Sequence, residues 1–263
     1  MILKDKTALI TGASSGIGKS YAYLLAEEGM NLILVARSKD ALETISEDIR
    51  SKHSREVHVI QKDLSELDAA ESLHHDVKDL ELEVDLLINN AGFGKWGKFE
   101  SFSWEEYQQM VQLNVTTLTE LCYCFLEDLK KRPEAGIINV GSTASFIPIP
   151  YSAVYGATKA YVLSFTEALT GELAETNVRV FCLCPGGTDT NFSAVADTDK
   201  KASKADLKWL SPDEVAKIGL DEFQVGKHYT ITGRKGQLKV MKLLPRKKVI
   251  DLVGNYWKKL LGI

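Results

Sequence analysis

Short apolar, β-branched runs alternate with longer stretches of helical periodicity from Thr7 to about residue 184. The runs are Thr7 to Ile10, Asn31 to Ala36, Val57 to Lys62, Asp85 to Ile88, Gly136 to Val140 and Val178 to Cys184, with a weaker one at Tyr229 to Thr232. Each of the first six leads into a loop or a helical pattern. Strands without polar alternation are buried on both faces, as parallel strands between two helical layers are. The pattern predicts an α/β fold: a doubly wound, Rossmann-like parallel sheet of about seven strands with helices on both faces.

Helix starts are marked in the same way. Ser103 with Glu106 forms a capping box ahead of one long periodic segment, Trp104 to Leu129, and Ser211 followed by Pro212 opens another. No internal repeat appears, so residues 1–263 read as one domain. The polar insert Ser193 to Lys208 has little to bury and is expected to act as a mobile lid over about 193–210.

Composition narrows the class. With 44% hydrophobic and 26% charged residues, the 263-residue chain can bury a sizeable core. No apolar run is long enough to cross a membrane and no leader-like segment opens the chain, so the expected location is cytoplasmic. The cysteines fall as two C-x-C pairs, Cys122 with Cys124 and Cys182 with Cys184, in apolar surroundings; this spacing suits buried thiols better than zinc ligands. The net charge of −4 hides an asymmetry: residues 224–263 carry +9 and the rest −13. The basic extension, about 234–263, interleaves Leu, Val and Trp with Lys and Arg at helical spacing. A helix packed on the body is the first expectation, weak contact with an anionic membrane surface or with an acyl ligand the second. Nucleic acid is not an expected partner, because no binding motif accompanies the charge.

The first strand runs into TGASSGIG, which places Gly12, Ser14, Ser15, Gly16, Ile17 and Gly18 at the opening of a helix. Strand, glycine turn and helix N-terminus together form a pyrophosphate cradle. At the end of the second strand Ala36 stands where an NAD-preferring site would want an acid, and Arg37 follows it. A guanidinium can pair with a 2′-phosphate that a carboxylate would repel, so NADP(H) is the expected cofactor.

The spacing G-x3-G-x-G resembles the classical short-chain dehydrogenase/reductase family, and further segments carry the resemblance: KDLSE with Asp63 and Leu64, INNAG with Asn90, Ala91 and Gly92, and PGGTDT with Pro185, Gly186, Thr188 and Thr190. The matches extend from residue 7 to about 192. The resemblance implies that Asp63 contacts the adenine and that the INNAG segment lines the adenine-ribose side and steadies the sheet. It also implies that the PGGTDT segment meets the nicotinamide carboxamide and phosphate, Thr188 by its backbone and Thr190 by its hydroxyl.

Reducing a carbonyl requires a proton on oxygen as well as a hydride on carbon. An unassisted phenol, with a pKa of about 10, is a poor acid for the task, and a lysine one helical turn away can assist it. Of nine tyrosines only Tyr155 has a lysine four residues on, Lys159. Ser142 follows the fifth strand at its carboxyl end, and a hydroxyl there can bond the substrate oxygen. The resemblance implies a tetrad of Asn114, Ser142, Tyr155 and Lys159, in which Lys159 also holds the cofactor ribose and Asn114, within the long helix, holds a water that links Lys159 to solvent. The expected activity is NADP-dependent hydride transfer between nicotinamide and a small-molecule carbonyl or secondary alcohol. Aromatic residues of the strand-end loops, Phe93, Trp96, Phe146, Tyr151 and Phe192, are expected to wall a hydrophobic substrate pocket. A homodimer through the helix carrying Cys122 and the catalytic helix is implied by the resemblance. The alternative, a cofactor-binding regulatory or scaffold protein of the same fold, has no need of an intact tetrad.

Overall fold

The structure is a computed structural model and describes residues 1–190, 192, 196, 209–233 and 235–263. The expected lid lies largely outside the described residues. The strands are β1 (Thr7–Thr11), β2 (Asn31–Ala36), β3 (Val57–Gln61), β4 (Leu86–Asn89), β5 (Ala135–Val140), β6 (Val178–Cys184) and β7 (Tyr229–Ile231). They form one seven-stranded sheet in the order β3-β2-β1-β4-β5-β6-β7, every pairing parallel. All seven runs seen in the apolar pattern are strands of this sheet.

The helices are α1 (Gly16–Glu27), α2 (Lys39–His53), α3 (Ala69–Asp79), α4 (Trp104–Val111), α5 (Leu118–Lys131), α6 (Ala153–Glu172), α7 (Pro212–Gln224), α8 (Lys235–Leu243) and α9 (Arg246–Leu261). They cover both faces. Along β1, Ala8 and Ile10 face a core shared with α1, α2 and α7, whereas Leu9 faces a second core shared with α3, α5 and α6. That division is why the central strands read as continuously apolar: successive side chains enter different cores, and neither side is wet. At the edges β3 and β7 are only partly buried.

The chain builds outward from β1 to β3 and then crosses back to β4, so the carboxyl ends of β1 and β4 meet where the winding reverses. Crevices of open α/β sheets form at such a point.

The segment expected as one long helix is interrupted. Between α4 and α5, residues Gln112–Thr117 form a π-helical turn that contains Asn114. Periodicity does not reveal the wider turn, because a single such turn is too short a stretch to stand out in the apolar pattern of the segment.

The basic extension folds into α8 and α9, and α9 turns Val249, Val253 and Leu261 inward. Among the described residues, no helix is long and apolar enough to cross a membrane. Cys122, Cys182 and Cys184 are buried free thiols, but Cys124 is only half-buried, packed against the second core, a difference from the expectation for all four.

Candidate active site

Gly12 closes the turn after β1 with φ +67°, a left-handed conformation that suits glycine. Ser15 is the N-cap of α1, yet its side chain makes no capping hydrogen bond and the first turn holds no acid. By contrast α4 and α7 each open with a complete capping box and two acids. The N-terminal amides and positive dipole end of α1 are therefore left to an external anion, and the donor set fits a pyrophosphate. Ser14 and Ile17 are half-buried beside this turn, and Ser15 is exposed.

Gly18 is required by close approach: a Cβ there would lie 2.4 Å from the Gly12 carbonyl oxygen and 2.5 Å from Asn90 Nδ2. Gly18→Ala is expected to cost about 1–3 kcal/mol by overpacking, a Tm fall of roughly 2–10 °C, and to weaken nucleotide binding. Thermal unfolding with and without cofactor measures both effects, and an unchanged Tm would contradict the crowding.

The other nucleotide-side residues converge on this turn. Asn90 clamps it, donating through Nδ2 to the carbonyls of Thr11 at 2.9 Å and Gly12 at 3.2 Å. The backbone amides of Asn90 and Ala91 both donate to Thr11 Oγ1 at 3.0 Å. Thr11 was not singled out in the sequence, where a threonine ending a strand carries no special signal. Gly92 lies against the Asn114 carboxamide. Thr190 Cγ2 stands 3.1 Å from where a Cβ on Gly16 would be, so the segment after β6 meets the glycine turn. That segment is anchored elsewhere: the Pro185 carbonyl accepts from Thr143 N at 2.8 Å, Gly186 N donates to the Thr232 carbonyl at 3.1 Å, and Thr188 bridges to Leu210.

At the end of β2, the Arg37 side chain is 77% exposed and pairs with Asp63 at 3.7 Å. Burial alone would raise the Asp63 carboxyl, but hydrogen bonds from the side chain and backbone of Ser65, with the Arg37 charge, outweigh it and hold the group below its ordinary value. Leu64 is buried, and its carbonyl accepts from Thr117 Oγ1 at 2.8 Å, tying this strand end to the π-helical turn.

The four tetrad residues come together at the carboxyl ends of β4 and β5. Asn114 is fully buried; its Oδ1 accepts from Phe93 N at 3.1 Å, and its Nδ2 donates to the Phe93 carbonyl at 2.9 Å and to Thr158 Oγ1 at 3.1 Å. The carboxamide thus fixes the loop after β4 against α6. Thr158 links it onward by donating to the Tyr155 carbonyl at 2.8 Å. Ser142 caps a short 3-10 turn, accepting from Ala144 N at 3.1 Å. Ser145, another residue the sequence did not single out, accepts from Ser142 N at 3.2 Å and donates to the Lys159 carbonyl at 2.7 Å. It locks the serine turn onto α6.

The Lys159 ammonium donates to the Val140 carbonyl at 2.8 Å and lies 5.9 Å from the Tyr155 ring centroid. Burial lowers its pKa to about 8. Burial also pushes the Tyr155 phenol up to about 12, against the pull of a hydrogen bond with Ser142. The expected lowering of Tyr155 by Lys159 is therefore not what this geometry shows: enclosure dominates, and the ammonium is turned toward Val140.

Of the expected pocket walls, Trp96 lies 6.4 Å from Phe192 and Phe192 lies 5.4 Å from Tyr155, ring centre to ring centre. Phe146 packs 5.7 Å from Tyr229 and against the core that Tyr229 and Ile231 border. Tyr161 stacks on Phe165 on the outer side of α6.

Comparison with known proteins shows the family and the fold. The short chain dehydrogenase family profile matches residues 6–201. A 7beta-hydroxysteroid dehydrogenase of Clostridium sardiniense is 35% identical over 223 residues, 84% of this chain and 83% of that protein. A short-chain dehydrogenase from Sphingobium yanoikuyae, solved with NADPH, superposes with a TM-score of 0.82 at 28% identity, covering 98% of this chain and 95% of that one. A short-chain dehydrogenase/reductase from Burkholderia phymatum, solved with NAD, shares the fold at a TM-score of 0.82 and 24% identity over 96% of both chains. The chain belongs to the short-chain dehydrogenase/reductase family of oxidoreductases.

Proposed function

We propose that the protein is an NADP(H)-dependent reductase of a hydrophobic ketone or aldehyde, with Tyr155 as the general acid. The observation that carries this reading is the gathering of a phenol, a hydroxyl and a buried ammonium at one strand-end crevice, beside an uncapped helix N-terminus. When bound, the nicotinamide supplies the hydride. The Gly12–Gly18 turn and the α1 amides would hold the pyrophosphate, Arg37 the 2′-phosphate, and Lys159 the ribose hydroxyls.

The side chains then divide the proton work. Ser142 bonds the substrate oxygen and orients it toward Tyr155. Burial raises the Tyr155 phenol, so it remains protonated at neutral pH and can donate to the alkoxide that develops, a stronger base than phenolate. Asn114 keeps the loop and α6 in register, and a water beside it would return a proton to Lys159.

Arg37 supports NADP(H) because its exposed guanidinium has, among the described residues, a single, long ion pair, and no acid stands at Ala36. The mostly apolar surroundings of Tyr155, with Phe192 and Trp96, support a hydrophobic substrate. The relative named a 7beta-hydroxysteroid dehydrogenase points in the same direction. A screen of ketones and aldehydes, followed at the NADPH absorbance, tests the reading. Turnover of hydrophobic ketones is expected; a chain that binds NADPH and reduces nothing would instead be the regulatory protein.

A further inference from the structure

Three helical segments among the described residues open with a capping box, at Ser103, Ser142 and Ser211. In the boxes of α4 and α7 the third residue is a glutamate, Glu106 or Glu214, whose carboxylate accepts from the cap amide and has no proton to give. In the box at Ser142 that residue is Ser145, a hydroxyl. Its proton goes to a distant segment: Ser145 Oγ accepts from Ser142 N at 3.2 Å and donates to the Lys159 carbonyl at 2.7 Å. One oxygen atom therefore joins the backbones of two tetrad residues. An amide only donates and a carbonyl only accepts, so the link needs a group that does both.

The link joins two elements with different anchors. Backbone hydrogen bonds hold the Ser142 turn to β6, from Gly141 N to the Leu183 carbonyl at 2.7 Å and from Thr143 N to the Pro185 carbonyl at 2.8 Å. The Cys184 sulfur, a weak acceptor, also faces Ser142 N. Toward α6, Lys159 Nζ donates to the Val140 carbonyl at 2.8 Å. In the proposed function that ammonium holds the ribose, and its direction changes with the cofactor. The Ser145 bond uses the Lys159 backbone, which stays in place wherever the ammonium points.

We propose that Ser145 is a positioning residue: its hydroxyl fixes the Ser142 turn on α6 and keeps the Ser142 and Tyr155 hydroxyls in the register at which both reach the substrate oxygen. The inference rests on the oxidoreductase reading above and deepens it. A displacement of about 1 Å at a reacting group can cost on the order of 10²-fold in rate, so a single backbone tie has a measurable consequence.

Ser145→Ala is expected to lower kcat roughly 10- to 100-fold for reduction of acetophenone, or of whichever screened ketone the intact chain turns over fastest. NADPH affinity is expected to change by less than about twofold, because the residue acts on Ser142 and not on the glycine turn. A cycle with Ser142→Ala separates positioning from general damage. Ser142→Ala keeps the backbone link but leaves no hydroxyl to aim, so adding Ser145→Ala to it should slow turnover by less than about threefold. A larger further fall in that background overturns the proposal, as does a Ser145→Ala kcat within about threefold of the intact chain. Ser145→Cys, of similar volume but a weak donor and acceptor, is read in the same way if Ser145→Ala does not fold. If the intact chain reduces no ketone, the oxidoreductase reading fails by itself, and hydrogen exchange of the Ser142 amide decides the link. Exchange at least about fivefold faster in Ser145→Ala supports it, and a smaller change overturns it.

Discussion

Tyr155→Phe is expected to lower turnover by roughly 10²–10⁴-fold, the usual contribution of a positioned general acid, while NADPH affinity changes by less than about twofold. The substitution removes one oxygen. The ring keeps its packing against Phe192 at 5.4 Å and its place 5.9 Å from the Lys159 ammonium, so neither the fold nor the nucleotide cradle loses a contact that holds it. Stopped-flow turnover and NADPH fluorescence titration on the same variant separate the two effects. Turnover within threefold or so of the intact chain would remove Tyr155 from proton transfer.

The pH profile of the intact chain gives a related expectation. Burial holds Lys159 near pKa 8 and Tyr155 near 12. Lys159 is charged below about pH 8 and loses its proton as pH rises through that value, well before Tyr155 ionises. Reduction should therefore decline from about pH 8 upward if the ammonium's charge is used, rather than from pH 10, where a free phenol would begin to titrate.

The second large effect is expected at the cofactor. Arg37→Asp should move the ratio of kcat/KM for NADPH over NADH toward NADH by roughly 30- to 100-fold, on the basis of one charge-assisted hydrogen-bonded pair lost and a repulsion gained. The Arg37 side chain is 77% exposed and pairs with Asp63 at 3.7 Å, so the substitution costs the fold little. The new carboxylate would face Asp63, and Arg37→Ala, which adds no charge, should show a smaller shift in the same direction. Kinetics with both nucleotides decide the matter, and an unchanged ratio would mean that Arg37 is merely a solvated residue at the start of α2.

The alternation of apolar runs and helical periods determined the architecture, because burial of each strand on both faces leaves a continuous apolar run whatever the loops do. All seven strands could be read from it within a residue or so at their ends. The glycine turn, Arg37, Ser142, Tyr155 and Lys159 were also legible, since a turn, a strand end and an i, i+4 pair are local features whose spacing survives without tertiary contacts. Asn114 could be named, but not its setting: the π-helical turn that aims its carboxamide at Phe93 and Thr158 depends on the packing of α4 and α5 against α6. The protonation of the site was likewise out of reach. An i, i+4 lysine predicts a lowered phenol pKa, whereas the fold encloses both groups, and desolvation raises Tyr155 and lowers Lys159. Trp257 shows the same limit: an aromatic of the basic tail lies 5.2 Å from Trp96, ring centre to ring centre, a contact between distant segments. Which rings meet across distant segments is set by three-dimensional packing, which the one-dimensional pattern of apolar positions does not encode.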